Sequence, residues 1–223
     1  MSGEVVQLTR ELMIEGLRDL VARLAGASQH HAVYVVGGAA MNLRYVQDRR
    51  LTPDVDAQLS PPDGLLAAAH EVAEARGWDP EWLNNKAVGF IPIAKDAGWE
   101  PIHSDEHVSI YVASPGCLLA MKLRAARRGR DVDDISALLA LCDIADIDAA
   151  EELFEEYYPG ELPPDRAYRM LENLFAAGIP PAPPAPPRPD LAPRSRSLSE
   201  AQPSRSVETR TVILSSDGGP ADE

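Results

Sequence analysis

The hydrophobic and polar positions of this chain follow two periods. Apolar residues three and four positions apart predict amphipathic helices over residues 8–25, 39–46, 63–76, 115–129, 134–142, 148–158 and 164–177. Short apolar runs predict strands at residues 32–36, 54–59 and 107–113. The stretch from Trp78 to Asp105 has little periodicity and is interpreted as a loop with apolar anchors. This order predicts an α/β (α+β) fold, in which a small mixed sheet is flanked by helices and followed by a short helical bundle.

Local signals set several element boundaries. Thr9 and Ser114 are typical N-cap residues, and Pro115 suits the first helical position. Asp63 is predicted to cap the third helix, and Gly77 to end it. The chain divides into a core over residues 1–130, a C-terminal helical part over 131–179 packed on that core, and a tail over 180–223. Ten of the 20 prolines fall in this Pro/Ser/Arg-rich tail, which is expected to be disordered.

The stretch YVVGGAAMNLRYVQDRRLTPDVDA contains the first group of candidate functional residues. Strand side chains alternate between faces, so Asp54 and Asp56 are expected to point to one face and Val55 to the other, buried face. Two adjacent carboxylates suit a hard divalent cation such as Mg²⁺, which accepts one or two carboxylates together with substrate phosphates. The alternative is a solvated strand end.

Four further residues of this stretch suit a bound phosphate. Gly37 and Gly38 follow a strand and precede a helix, so their backbone amides are open to a phosphate, although such a pair is more often a tight turn. Thr52 offers a hydroxyl and Arg50 a planar charge.

The second group of candidates begins with Lys122, in the middle of a predicted helix. Asp131 and Asp134 follow it, three residues apart, and share one face of the next helix. An acidic first helical turn that the helix dipole favours is the ordinary explanation for these aspartates. The helix dipole also favours basic residues near a helix C-terminus, and this is the ordinary explanation for Arg127 and Arg128 near the end of the preceding helix.

Together the two groups resemble the nucleotidyltransferase superfamily related to DNA polymerase beta. The lysine followed by Arg-Asp-x-x-Asp-Ile is similar to the arrangement in AbiEii-type nucleotidyltransferases and the MenT toxins of mycobacteria. The resemblance covers residues 33–141 and implies the nucleotidyltransferase fold. It also implies that Asp54 and Asp56 bind Mg²⁺, or Mn²⁺, and that Lys122 holds nucleotide phosphates. Either Asp131 or Asp134 would complete the catalytic site.

The implied reaction moves a nucleoside monophosphate from a nucleoside triphosphate to a hydroxyl, with release of pyrophosphate. The toxin relatives imply an RNA 3′ end, such as that of tRNA, as the acceptor, and a cognate antitoxin as a partner. The same chemistry on a small-molecule or protein hydroxyl is a second interpretation. A non-catalytic nucleotide-binding protein is a third, because Ser109 stands where the superfamily's third strand carboxylate is expected. Gly38 also replaces a serine that is often found in the motif.

Composition and charge restrict these alternatives. The net charge of −14 argues against a surface that is basic throughout, and therefore weakens the tRNA interpretation, but it permits a local basic cleft. Cys117 and Cys142 are too few and too far apart for a zinc site and suit a reduced core. The N-terminus has no apolar signal-peptide region, and no stretch is long enough to span a membrane. A cytoplasmic protein is expected. One of the three tryptophans could stack on a base, although a structural role is the simpler interpretation.

Overall fold

A computed structural model describes residues 7–47 and 49–194 of the chain. The strands in this part are β1 (His31–Val35), β2 (Val55–Ser60), β3 (Leu83–Asn84), β4 (Glu100–Ser104) and β5 (Val108–Val112). The α-helices are α1 (Arg10–Leu24), α2 (Gly37–Ala40), α3 (Pro62–Arg76), α4 (Pro115–Ala125), α5 (Val132–Leu141), α6 (Ile147–Tyr157) and α7 (Asp165–Ala177). A π-helix, Met41–Tyr45, continues α2 directly.

The five strands form one mixed sheet in the order β3-β2-β1-β5-β4. The central strand β1 is antiparallel to β2 and parallel to β5, while β3 is parallel to β2 and β4 is antiparallel to β5. Val33 and Val35 on β1 are fully buried, as a strand covered by helices requires. The predicted mixed sheet flanked by helices is confirmed.

Local sequence signals predicted several helix ends correctly. The Thr9 hydroxyl accepts a hydrogen bond from the Leu12 amide at 3.2 Å, and the Ser114 hydroxyl accepts one from the Cys117 amide at 3.3 Å. Gly77 ends α3 in a left-handed conformation (φ 66°). Asp63 is not the cap, because α3 already begins at Pro62.

Helix α4 ends at Ala125, four residues earlier than the sequence pattern predicted. The basic residues that follow it therefore lie in the loop between α4 and α5. The conformation of that loop sets their positions, so the helix dipole does not explain them as the sequence analysis predicted.

The stretch from Trp78 to Asp105 is more ordered than predicted, since it contains β3 and β4. Trp82 is buried, and its indole nitrogen donates to the carbonyl of Ala69 at 2.9 Å. Trp78 packs edge-on against Trp82, and Trp99 packs against Tyr34. All three tryptophans therefore have structural contacts.

The helices after residue 130 pack on the core. Helices α5 and α6 contact α4, and α7 contacts α6. The compact unit extends to Pro193, so it includes the first part of the predicted tail. We call residues 180–193 the C-terminal strap. The later part of the predicted tail, residues 195–223, lies outside the described residues.

The C-terminal strap is held mainly by helix α1. Arg18 on α1 donates to the carbonyl of Asp190 at 2.6 Å, and Arg10 donates to the carbonyl of Pro187. Leu191 is buried in the core cluster. This differs from the expected disorder, because backbone carbonyls and three buried residues, Leu191 and two prolines, anchor a segment that has no apolar periodicity. Across residues 7–47 and 49–194, no helix has the length and apolar character needed to cross a membrane.

Candidate active site

A cavity of about 700 Å³ opens where β1 ends and β2 begins. Most of the predicted site residues line it: Gly37, Gly38, Arg50, Thr52, Asp54, Asp56 and Lys122. The first group of candidates and the lysine of the second group, far apart in sequence, are therefore brought together. Asp131 and Asp134 do not line the cavity.

Asp54 and Asp56 occupy one wall of this cavity, as strand alternation predicted. Val55 between them is fully buried on the opposite face. Burial, and then the negative charge of Asp54, raise the pKa of Asp56 above its usual range. The two carboxylates are thus close enough to repel each other, and a bound cation would relieve that repulsion.

Asn84 is a site residue that the sequence analysis placed in a structural loop. It lies on β3 directly opposite Asp56 in the parallel pairing of β2 and β3. Its side-chain amide donates to a carboxylate oxygen of Asp54 at 3.2 Å and to the carbonyl of Glu81 at 3.2 Å. The side chain is buried and fixes the orientation of Asp54. The alternation of buried Leu83 with polar Asn84 was the available signal, but two residues are too few to predict a strand.

Ser109 does not lie beside the aspartates. It pairs with Ala32 near the start of β1, whereas the cavity lies beyond the end of β1. Its hydroxyl lies 3.1 Å from Nε2 of His30 and 3.0 Å from the hydroxyl of Ser104. Ser109 is separated from the aspartates because β5 adjoins β1 and not β2. The sheet neighbour of Asp56 on the β3 side is Asn84.

Basic side chains dominate the rest of the cavity wall. Six lysine and arginine residues line it, against two aspartates, in a protein whose net charge is −14. They are Arg49, Arg50, Lys86, Lys122, Arg127 and Arg130. The apolar residues Phe90, Leu118 and Met121 also line the cavity. A concentration of positive charge in a cleft attracts an anionic ligand even when the protein as a whole is acidic.

Lys122, Arg49, Asp131 and Asp134 form a buried ion-pair cluster at this wall, and Arg127, whose side chain is about half exposed, joins it from the surface. Nζ of Lys122 lies 2.7 Å from Asp131 and 2.8 Å from Asp134. Arg49 binds both carboxylate oxygens of Asp134, at 2.7 and 2.6 Å. Asp131 also accepts from the backbone amide of Arg127 at 2.9 Å and from its guanidinium at 3.0 Å.

The buried ion-pair cluster changes the roles predicted for Asp131 and Asp134. Asp131 is fully buried and Asp134 is 3% exposed, and the oxygens of both are occupied by basic side chains. Neither is arranged as a third metal ligand. Their chemistry is to hold Lys122, which also lines the cavity.

Arg49 is a second residue that the sequence analysis missed. Its guanidinium lies over Gly38, so that a Cβ added at Gly38 would meet it at 3.0 Å. Gly37 has a φ of 63° and would bring a Cβ to 3.5 Å from Asp56. The two glycines thus admit Arg49 and Asp56 close to the backbone. A serine at position 38 would press on the guanidinium that binds Asp134.

The hydroxyl of Thr52 and the backbone of Arg50 have structural partners. The Thr52 hydroxyl donates to the backbone carbonyl of Asp54 at 3.2 Å, and its backbone pairs with Leu8. The carbonyl of Arg50 accepts from the side chain of Asn42 at 3.3 Å. Thr52 therefore shapes the turn that carries Asp54, and the Arg50 guanidinium is available to the cavity.

No family model, no curated protein and no solved structure matches this chain. Its function is therefore argued from the cavity. Within residues 7–47 and 49–194, no group of three or more His, Cys, Asp and Glu side chains is placed to hold a metal ion. Asp54 and Asp56 form a two-carboxylate site, and such a site can bind Mg²⁺ when phosphate oxygens and water supply the remaining ligands.

Acidic pH is expected to destabilise the protein through Asp131. Burial acts to raise the pKa of Asp131, but the hydrogen bonds from Arg127 and the charge of Lys122 outweigh it and lower the pKa to about 2. Because the folded-state pKa lies below the unfolded value, the ion pairs contribute fully above pH 4 and are lost as the pH falls through about 2. The difference corresponds to about 2 kcal/mol of unfolding free energy.

Urea unfolding followed by circular dichroism between pH 6 and pH 2 measures this contribution. The Asp131→Asn variant should be less stable than the wild type at pH 6, and the difference between the two should shrink towards pH 2. A difference that stays constant over this range would show that the charge of Asp131 does not contribute.

Proposed function

We propose that this protein is a metal-dependent nucleotidyltransferase, which transfers a nucleoside monophosphate from a nucleoside triphosphate to a hydroxyl group. The observation that carries the proposal is the composition of one cavity. Paired carboxylates, Asp54 and Asp56, face a wall of basic side chains in a strongly acidic protein. A triphosphate with its divalent cation needs both kinds of charge, the carboxylates for the cation and the basic residues for the phosphates.

The cavity suits a nucleoside triphosphate in size and lining. Its volume lies within the range of about 300–1,000 Å³ that is usual for small-molecule sites. Phe90 lines the cavity and is 46% exposed, so it offers an apolar surface to a base. Lys122, Arg127 and Arg130 line the same cavity and would supply positive charge to the phosphates.

Asp54 and Asp56 would hold Mg²⁺ or Mn²⁺. Burial, and then the neighbouring charge of Asp54, raise the pKa of Asp56, and a cation would offset both effects. When bound, the cation neutralises phosphate charge and acidifies the attacking hydroxyl. Asn84 keeps Asp54 oriented through its 3.2 Å hydrogen bond. The protein's own contribution is thus a fixed pair of carboxylates in a partly buried cavity.

The transfer itself is a displacement at the α-phosphorus. The acceptor oxygen forms a bond to this phosphorus, the bond to the oxygen that bridges the α- and β-phosphates breaks, and pyrophosphate leaves with that electron pair. The hydroxyl proton passes to solvent. Positive charge from Lys122, Arg127 and Arg130 stabilises the negative charge that accumulates on the phosphates.

The resemblance to toxin families supports an RNA 3′ end, such as that of a tRNA, as the acceptor, and a cognate antitoxin as a partner. A small-molecule or protein hydroxyl is an alternative acceptor for the same chemistry. A non-catalytic nucleotide-binding role is favoured by a specific observation, namely that an amide, Asn84, lies beside Asp56 in the sheet.

Incubation of the full-length protein with Mg²⁺, each α-labelled nucleoside triphosphate and total tRNA tests the proposal. Transfer of label to RNA, abolished by EDTA, is the expected result and identifies the nucleotide. Pyrophosphate release without labelled RNA would move the proposal to another acceptor. Nucleotide binding without release of pyrophosphate from the triphosphate, whichever acceptor is added, would favour the non-catalytic role.

A further inference from the structure

Within the part of the chain that the structure describes, the free arginine side chains are concentrated in one region. Most described lysines and arginines bind a carboxylate or a backbone carbonyl. Apart from Arg194 at the end of the described chain, the exceptions among residues 7–47 and 49–194 all line either the cavity or a groove beside it. They are Arg50, Arg128, Arg130, Arg166 and Arg169.

The groove has a volume of about 270 Å³ and lies between the α4–α5 loop and α7. Arg166, Arg169 and Asn173 are spaced at three and four positions, so they share one face of α7. Arg128 lies on the opposite side of the groove. All three arginines are exposed, and none has a carboxylate oxygen within 4 Å among the described residues. Arginines left unpaired in an acidic protein remain available to an anionic ligand.

The loop between α4 and α5 joins the groove to the cavity. Arg127 and Arg130 line the cavity, while Arg128 between them lines the groove. Asp131 fixes this loop, because it binds both the backbone and the side chain of Arg127. The free guanidinium groups therefore continue from the cavity wall into the groove.

We propose that this groove binds the phosphodiester backbone of a single-stranded nucleic acid whose 3′ end enters the cavity. The orientation of the nucleic acid, with its 3′ end in the cavity, rests on the proposed function. The location of the binding site in the groove is independent of that function. A single phosphate would engage one part of this surface, whereas a strand with one phosphate per nucleotide can engage successive arginines on both sides of the loop. The guanidinium fork binds phosphate oxygens in pairs and does not require a particular base sequence.

A direct binding measurement tests the groove independently of catalysis. The probe is a fluorescent single-stranded RNA of about 12 nucleotides, a length within the usual range of binding-site sizes, titrated with full-length protein at several salt concentrations. The triple variant Arg128→Gln, Arg166→Gln, Arg169→Gln is compared with a control, Arg23→Gln, Arg44→Gln, Lys95→Gln. The control has the same net charge but loses only partly exposed or exposed ion pairs elsewhere.

The groove variant is expected to bind the RNA at least about tenfold more weakly than the control. The slope of its log binding constant against log salt concentration should fall by the equivalent of about two phosphate contacts. Binding of a non-hydrolysable nucleoside triphosphate in the cavity should stay unchanged in both variants. Equal RNA affinity of the two variants would overturn the proposal, as would tighter binding of a phosphopeptide than of the RNA. If the groove variant loses RNA affinity but the wild type transfers no nucleotide, the groove stands and the proposed function fails.

Discussion

Replacing Asp54 or Asp56 with asparagine is expected to lower the rate of nucleotidyl transfer about 1,000-fold, because each change removes a charged ligand from the two-carboxylate metal site. The fold should tolerate both changes. An asparagine at position 54 can still accept the hydrogen bond from Asn84. At position 56 the pKa of the aspartate is raised, first by burial and then by Asp54, so its ionised form opposes folding near neutral pH. The Asp56→Asn variant should therefore be at least as stable as the wild type.

Initial rates of label transfer and thermal unfolding measure these two effects separately. A suitable control is Asp148→Asn, which removes the same charge from an exposed position away from the cavity. Mg²⁺ with a non-hydrolysable nucleoside triphosphate should raise the melting temperature of the wild type and of the control, but not of the two site variants. Full activity of the Asp56→Asn variant would contradict the metal site.

The carboxylate pair could be predicted because its geometry is local. The alternation of strand side chains separates Asp56 from Val55, and the residue directly before β2, Asp54, follows the same alternation and lines the same cavity. The caps at Thr9 and Ser114 are equally local, since each binds an amide three residues away. Features set by neighbouring residues in the chain are those that sequence patterns describe well.

The role of Asp134 could not be predicted, because its partner Arg49 lies 85 residues away in sequence. Lys122, Asp131 and Asp134 are residue types that suit a catalytic group and a buried ion-pair cluster equally well, so the sequence does not distinguish the two roles. The bonds from Arg49 to Asp134 and from Arg127 to Asp131 distinguish them. The spacing indicated that these residues lie together, and the long-range partners decide what they do.

The C-terminal strap illustrates a second limit of sequence reasoning. Its composition resembles that of disordered segments, which bury too little apolar surface to offset the cost of ordering. The strap is anchored instead by the side chains of Arg10 and Arg18 on α1, which bind its backbone carbonyls. Composition alone does not contain this information, because the donors belong to another part of the chain.

Replacing Lys122 with methionine is expected to lower the free energy of unfolding by about 3 kcal/mol, because it leaves two buried carboxylates short of a partner. The loss should lie at the low end of the range for broken buried ion pairs. Asp134 keeps its two hydrogen bonds to Arg49, and Asp131 keeps those to Arg127. Methionine preserves most of the side-chain volume, so the measured loss reports the charge and not a cavity.

The same substitution at Lys95 is the matched control. Lys95 pairs with Glu156 at an exposed position, where both side chains are about half exposed, so Lys95→Met should cost no more than about 1 kcal/mol. Urea unfolding at pH 7 compares the two variants. The double variant Lys122→Met, Asp131→Asn should lose less unfolding free energy than the sum of the two single losses, because an asparagine at position 131 carries no charge that needs Lys122 as a partner. Equal stability of the Lys122→Met and Lys95→Met variants would show that the buried ion-pair cluster does not stabilise the fold, and Lys122 would then be held only by the packing of α4.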